Sequence, residues 1–214
     1  VLCSKFSPQH ANSWNDLLDA CNNSLQNLGT DYLDVYYLHW PNRQTPIKTI
    51  AEWFDDLRRQ GKIRAFAVSN FGVGDLGDLL EIAAPAVNQL PYNLLWRVVE
   101  KEILPLCRQH DVSVACYSPI AQGLLTDKYL GDGTAQRAQS RSSLPDRKLS
   151  ESALGALRSL DVIAKERGQS LAQMAIQWVL RDAVVASALI GASRPEQLDE
   201  NVAAGGFGGR LSRL

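Results

Sequence analysis

The sequence predicts an α/β fold built on a parallel sheet, and three observations carry that reading. Short apolar runs rich in β-branched and aromatic residues alternate strictly with stretches whose apolar residues recur at helical spacing. The apolar runs are nearly continuous, as strands covered on both faces are. No repeat beyond this rhythm and no linker-like composition divides the 214 residues, so residues 1–214 are expected to form a single domain.

The elements follow in order. Residues 1–6 read as a strand. Trp14, Leu17, Leu18, Cys21, Leu25 and Leu28 then fall at helical spacing, and Gly29 ends that helix. YLDVYYLH (32–39) is a second strand. A helix over 47–60 sets Ile50, Trp53, Phe54 and Leu57 on one face and stops at Gly61. IRAFAVS (63–69) is a third strand, 74–82 a short helix, and 86–89 a brief fourth strand. A helix over 99–110 leads to a fifth strand, VSVACY (112–117). Residues 121–150 break the rhythm with a polar segment, GDGTAQRAQSRSSLPDRK (131–148), expected to be mobile without a ligand. Helices over 151–167 and 171–181 follow, the second headed by Ser170 as N-cap, and VVASALI (184–190) is a sixth strand. Six such units fit an open doubly wound sheet or a barrel, which fills about 250 residues with eight. The first strand carries no G-x-G-x-x-G turn, so the dinucleotide-binding doubly wound sheet lacks its clearest sign. Periodicity does not choose further.

Composition narrows the function. The hydrophobic share is 45% and the charged share 21%, ordinary for a globular domain. A net charge of −1 argues against a nucleic-acid or acidic-membrane surface. No apolar run approaches the roughly 20 residues that span a bilayer, and no signal-peptide core follows Lys5. Cys3, Cys21, Cys107 and Cys116 form no C-x-x-C pair and have no His at ligand spacing, so no metal is expected. Cys3 and Cys116 lie in strand-like runs and are read as small core hydrophobes. Reduced thiols suit a cytoplasmic protein.

Polar residues collect at the end of strand after strand. They are Lys5, His39, Ser69 with Asn70, Gln89, Tyr117 with Ser118, and, just past the sixth strand, Ser193 with Arg194. In a barrel such ends converge on one mouth, where active sites are built. Ser193-Arg194-Pro195-Glu196 reads as a helix start, a capping box with Pro in the first turn. A helix N-terminus beside an arginine suits a phosphate.

The segments LDVYYLHWPN (33–42), IRAFAVSNF (63–71), VNQLPYN (87–93), CYSPIAQGLL (116–125) and LIGASRPEQLDEN (189–201) resemble consecutive signatures of the aldo-keto reductases. The resemblance covers essentially the whole chain. It is closest in style to bacterial-type members, near the potassium-channel β-subunit branch.

The resemblance implies a (β/α)8 TIM barrel of which the third to eighth strands are present. It implies NADPH as hydride donor and a small-molecule aldehyde or ketone as acceptor. His39 then orients and polarises the carbonyl, and Lys5 lowers the pKa of a tyrosine acting as general acid. Ser69, Asn70 and Gln89 hold the nicotinamide carboxamide, and Tyr117 stacks beneath the ring. Ser118, Pro119, Ile120, Gln122, Gly123 and Leu124 wrap the pyrophosphate, and Ile190 and Gly191 join the cofactor contacts. Ser193 and Arg194 match the 2′-phosphate pocket that favours NADPH over NADH. Gln197, Glu200 and Asn201 match the adenosine contacts. In the resembled family the general-acid Tyr and its Asp partner lie at and after the end of the second strand, so they are expected to lie outside this chain, and Tyr36 and Tyr37, inside a strand before His39, do not replace them. The 214 residues alone are therefore expected to be weakly active or inactive. The alternatives are a non-catalytic cofactor-binding regulatory subunit or an inactive fragment. Trp40, Asn42, Trp96 and Arg97 are read as rim residues of a substrate pocket, with packing an equal role for the two tryptophans.

Overall fold

A computed structural model describes residues 1–130 and 150–206. The segment 131–148, with its expected mobility, lies outside the described residues.

Six strands form one sheet: β1 (Cys3–Phe6), β2 (Leu33–Leu38), β3 (Ile63–Ser69), β4 (Val87–Pro91), β5 (Ser113–Tyr117) and β6 (Val185–Leu189). They hydrogen-bond in chain order, and β1–β2, β2–β3 and β3–β4 are parallel. Parallel neighbours cannot be joined by a hairpin, so each step carries a crossover. The crossovers are α1 (Trp14–Leu28), α2 (Ile47–Arg59), α3 (Val73–Leu80), α4 (Ile103–Gln109), and α5 (Glu151–Glu166) with α6 (Leu171–Val179); α7 (Pro195–Ala203) follows β6. This order decides what periodicity left open. A doubly wound sheet reverses its strand order at a switch point, whereas a barrel sheet runs on without reversal.

Contacts group the chain into two compact units, Val1–Leu90 with Val98–Ala115, and Pro91–Arg97 with Cys116–Leu214. In the first, α1 buries Leu17, Cys21 and Leu25 and ends at Gly29, whose φ of 64° is left-handed. There a side chain would be strained, which is why glycine stops the helix cleanly. The strongly amphipathic α2 buries Ile50, Ala51, Phe54 and Leu57. Phe54 packs with its ring centroid 5.0 Å from Phe66 and 5.7 Å from Phe6, and Phe6 lies 5.0 Å from Tyr36. Truncating such a buried aromatic costs about 3–5 kcal/mol. The core of the second unit joins Leu125 and Leu157 to Leu171, Met174 and Ala175 of α6. Beside it, Trp178 packs on Tyr92 at 5.2 Å under the Arg181 guanidinium, 3.6 Å from its ring centroid.

Two expectations are corrected. The helix over 99–110 is a 3₁₀ turn, Val98–Glu100, followed by α4 from Ile103. Pro105 explains the break. In a helix begun at 99 it would remove an interior hydrogen bond, but in a helix begun at 103 it falls in the first turn, where an N–H has no helical partner. Cys3 is exposed rather than in the core, while Cys116 is buried. Strand side chains alternate, so Cys3 shares a face with exposed Lys5 and not with buried Phe6.

Candidate functional site

In the first unit, five of the expected site residues form one hydrogen-bond network at four strand ends. Lys5 Nζ donates to Gln89 Oε1 at 3.3 Å. Gln89 is buried, and its backbone oxygen accepts from Ser69 Oγ at 3.1 Å and from the Asn70 N–H at 2.9 Å. Asn70 Nδ2 donates to the backbone oxygen of His39 and to Ser69 Oγ, both at 3.0 Å. Asn70 has a φ of 63°, a left-handed conformation that asparagine tolerates better than most residues. Its side chain thus ties the end of β3 to the end of β2. The backbone N–H of His39 in turn donates to Phe6 at 2.9 Å.

Electrostatics sort the titratable groups. Burial, and secondly the nearby Lys5 cation, hold the His39 imidazole below its ordinary pKa. Near neutral pH it is an uncharged ring with one N–H to donate. Burial pushes the Tyr37 phenol up to about 12 and the Tyr36 phenol higher still. Neither is suited to give up a proton, in keeping with their places inside β2.

In the second unit a cleft of about 930 Å³ is lined by Ser118, Pro119, Ile120, Gln122, Gly123, Ile190, Gly191, Ser193, Arg194, Gln197, Glu200 and Asn201. Tyr117 and Leu124 stand outside that lining. The Tyr117 ring is half-buried, its hydroxyl pushed up in pKa by burial. The loop after β5 is left-handed at Ser118, Ala121, Gln122 and Gly123, with φ between 48° and 94°. Non-glycine residues rarely adopt this conformation, and such outliers gather at functional sites.

The start of α7 differs from expectation. Arg194, not Ser193, is the N-cap, Pro195 opens the helix, and no side chain caps it. The residue before a proline is kept out of helical conformation, which moves the boundary past Ser193. The Ser193 N–H and Oγ donate instead to Gln197 Oε1, at 2.9 and 3.1 Å. A first turn without a side-chain cap, beside an exposed arginine, is suited to an anion.

Several cleft residues escaped sequence reasoning, among them Lys128, Asp161, Lys165 and Ser170. Lys165 and Asp161 pair at 2.6 Å along α5. Their i,i+4 spacing is that of any solvated helix face, so the sequence offered no sign of a ligand there. At the expected rim, Trp40 and Trp96 are about half exposed, at 51% and 56%. Asn42 ties its loop to the turn at 8–11, donating to the Pro8 oxygen at 2.8 Å, and Arg97 lies over the Trp178 ring at 5.1 Å.

Comparison with known proteins gives the family. The model of the aldo/keto reductase family matches residues 1–212. An L-glyceraldehyde 3-phosphate reductase of Escherichia coli K12 is 36% identical over 199 residues, covering 88% of this chain and 58% of that protein. A probable voltage-gated potassium channel subunit beta of Arabidopsis thaliana is 32% identical over 192 residues, covering 85% and 58%. The crystal structure of an aldo/keto reductase from Klebsiella pneumoniae, in complex with NADP and acetate, matches with a TM-score of 0.76 at 34% identity, over 99% of this chain and 66% of that one. The chain thus spans 58% of the length of these two curated relatives.

Proposed function

The chain belongs to the aldo/keto reductase family, and on that premise we propose that it serves an NADPH-dependent carbonyl reductase acting on a small-molecule aldehyde or ketone. The observation that carries the proposal is the network joining Lys5, His39, Ser69, Asn70 and Gln89 at successive strand ends. In this reading all 214 residues belong to one barrel domain, and the general-acid tyrosine and its aspartate partner lie outside them. In this reading the protein is cytoplasmic, which reduced thiols suit, and its net charge of −1 suits neither nucleic acid nor an acidic membrane as partner.

NADPH, when bound, supplies the hydride. The residues here fit such a ligand: α7 opens without a side-chain cap, at Arg194, on a cleft of about 930 Å³. Ser193 and Arg194 take the 2′-phosphate. Ser118, Pro119, Ile120, Gln122, Gly123 and Leu124 take the pyrophosphate, with Ile190 and Gly191 alongside, and Gln197, Glu200 and Asn201 take the adenosine. Ser69, Asn70 and Gln89 hold the carboxamide, and Tyr117 is the ring read as stacking on the nicotinamide. As a carbonyl carbon is reduced, negative charge grows on its oxygen. Neutral His39 donates a hydrogen bond to that oxygen. Lys5 stabilises the phenolate form of a neighbouring tyrosine, which makes that tyrosine a better acid.

The experiment is NADPH consumption by the full-length protein with a panel of aldehydes and ketones. We expect turnover, and we expect Arg194→Ala to raise the KM for NADPH roughly 10- to 100-fold while sparing NADH, as loss of a charge-assisted bond would. The likeness to a potassium channel β subunit favours a second reading, a non-catalytic cofactor-binding subunit. Tight NADPH binding without turnover would select it, and absence of binding would sink both.

A further inference from the structure

The N-terminus of α6 carries a complete capping box. Ser170 Oγ accepts from the Gln173 N–H at 3.2 Å, and Gln173 Oε1 accepts from the Ser170 N–H at 3.0 Å. Such a box satisfies two of the free N–H groups at the helix end without outside help. Each member still has a donor, and both donors go to one residue of α7. Ser170 Oγ donates to Glu200 Oε1 at 2.5 Å, and Gln173 Nε2 donates to the Glu200 backbone oxygen at 3.1 Å. Side chain and backbone of Glu200 are thus held by the same two residues, thirty and twenty-seven positions earlier.

The anchoring matters because α7 is not held by a core of its own among the described residues. None of its side chains is buried, and Leu198 and Val202 are 55% and 69% exposed. Ser170, Glu200 and Asn201 all line the cleft. We propose that Ser170 and Gln173 are positioning residues, which use the donors left over from the α6 cap to hold Glu200 for the adenosine half of the cofactor. This rests on the reading of Glu200 as an adenosine contact. With one carboxylate oxygen taken by Ser170, the other is left for a ribose hydroxyl or an adenine amino group. A long acidic side chain fixed before the ligand arrives has less freedom to lose on binding.

The test separates capping from positioning. In the full-length protein, Ser170→Asp keeps a good N-cap acceptor but loses the donor and sets a second carboxylate against Glu200. Gln173→Glu keeps the box but loses the donor to the Glu200 backbone. Dissociation constants for NADPH and NADH are measured with the thermal midpoint. Ser170→Asp is expected to weaken both cofactors alike, on the order of 10-fold, and Gln173→Glu a few-fold, with midpoints within a few degrees of the native value. Ser170→Thr keeps the affinity. Glu200→Gln weakens binding in the native background and strengthens it in the Ser170→Asp background, where a hydrogen-bond donor again meets a carboxylate. Native-like affinity in both Ser170→Asp and Gln173→Glu overturns the proposal, as does a loss that follows the midpoint and is not relieved by Glu200→Gln. A native protein that binds neither nucleotide overturns the functional reading first, and this one with it.

Discussion

The two compact units hold their candidate site residues in opposite ways. In the first, the side chains bond to one another: Lys5 to Gln89, Ser69 to the Gln89 backbone, and Asn70 to Ser69 and the His39 backbone. Ser69 and Gln89 are buried among strand ends. In the second, the groups stand on a left-handed loop and on the first turn of α7, where Ser193 and Arg194 are exposed. The difference follows the chemistry each region is suited to. Proton donors to a reacting carbonyl must hold their positions closely, because small misplacements are costly in rate. A phosphate is gripped by cations and backbone N–H groups, which need no deep burial. The first region therefore ties function to folding, and the second leaves them separable.

The largest effect that would sharpen this contrast is on rate. In the full-length protein Lys5→Met should lower kcat for carbonyl reduction by roughly 10²–10⁴-fold while changing the NADPH dissociation constant only slightly. A kcat within a factor of a few of the native value would remove Lys5 from the proton path. Stability offers the next test. Asn70→Ala loses the hydrogen bonds to His39 and Ser69 and the short polar side chain that makes a φ of 63° tolerable, so urea unfolding should show a loss of about 2–3 kcal/mol. Asn70→Gly should lose less, since glycine accepts that backbone. Ser193→Ala, at an exposed position in the second unit, should change stability by less than about 0.5 kcal/mol. Equal losses at the two positions would erase the contrast.

The smallest effect is a titration. Its burial, and then Lys5, hold His39 below the ordinary imidazole pKa of 6.5. Folded His39 therefore binds fewer protons than unfolded His39 just below that pH. Its contribution to stability is complete above pH 6.5 and is lost as the pH falls through the folded-state value. An NMR titration should place the His39 midpoint below 6.5, and Lys5→Met should raise it without restoring 6.5, because burial is the greater cause. A native midpoint at or above 6.5 would mean that the end of β2 is open to water and not held as described.

Much of the architecture was legible in the sequence where the cause was local. Helical spacing from Trp14 to Leu28, the stop at Gly29, the strand IRAFAVS and the N-cap at Ser170 all depend on neighbours a few positions away. The helix expected over 99–110 failed at Pro105, a local signal outweighed by the apolar period around it. Cys3 failed for another reason. Apolar composition marks a strand but not which of its faces is covered, and that depends on what packs against it.

By itself, then, the sequence determined the alternation of strand and helix, the family, and the residue types waiting at the strand ends. Tertiary structure alone decided that the strands pair in chain order, that Lys5 meets a glutamine 84 positions away, and that the α6 cap reaches across to Glu200 on α7. Periodicity and capping are written over a few residues, because dihedral preference and side-chain spacing act at that range. A hydrogen bond between distant positions exists only after burial has chosen its partners, and no local pattern encodes that choice.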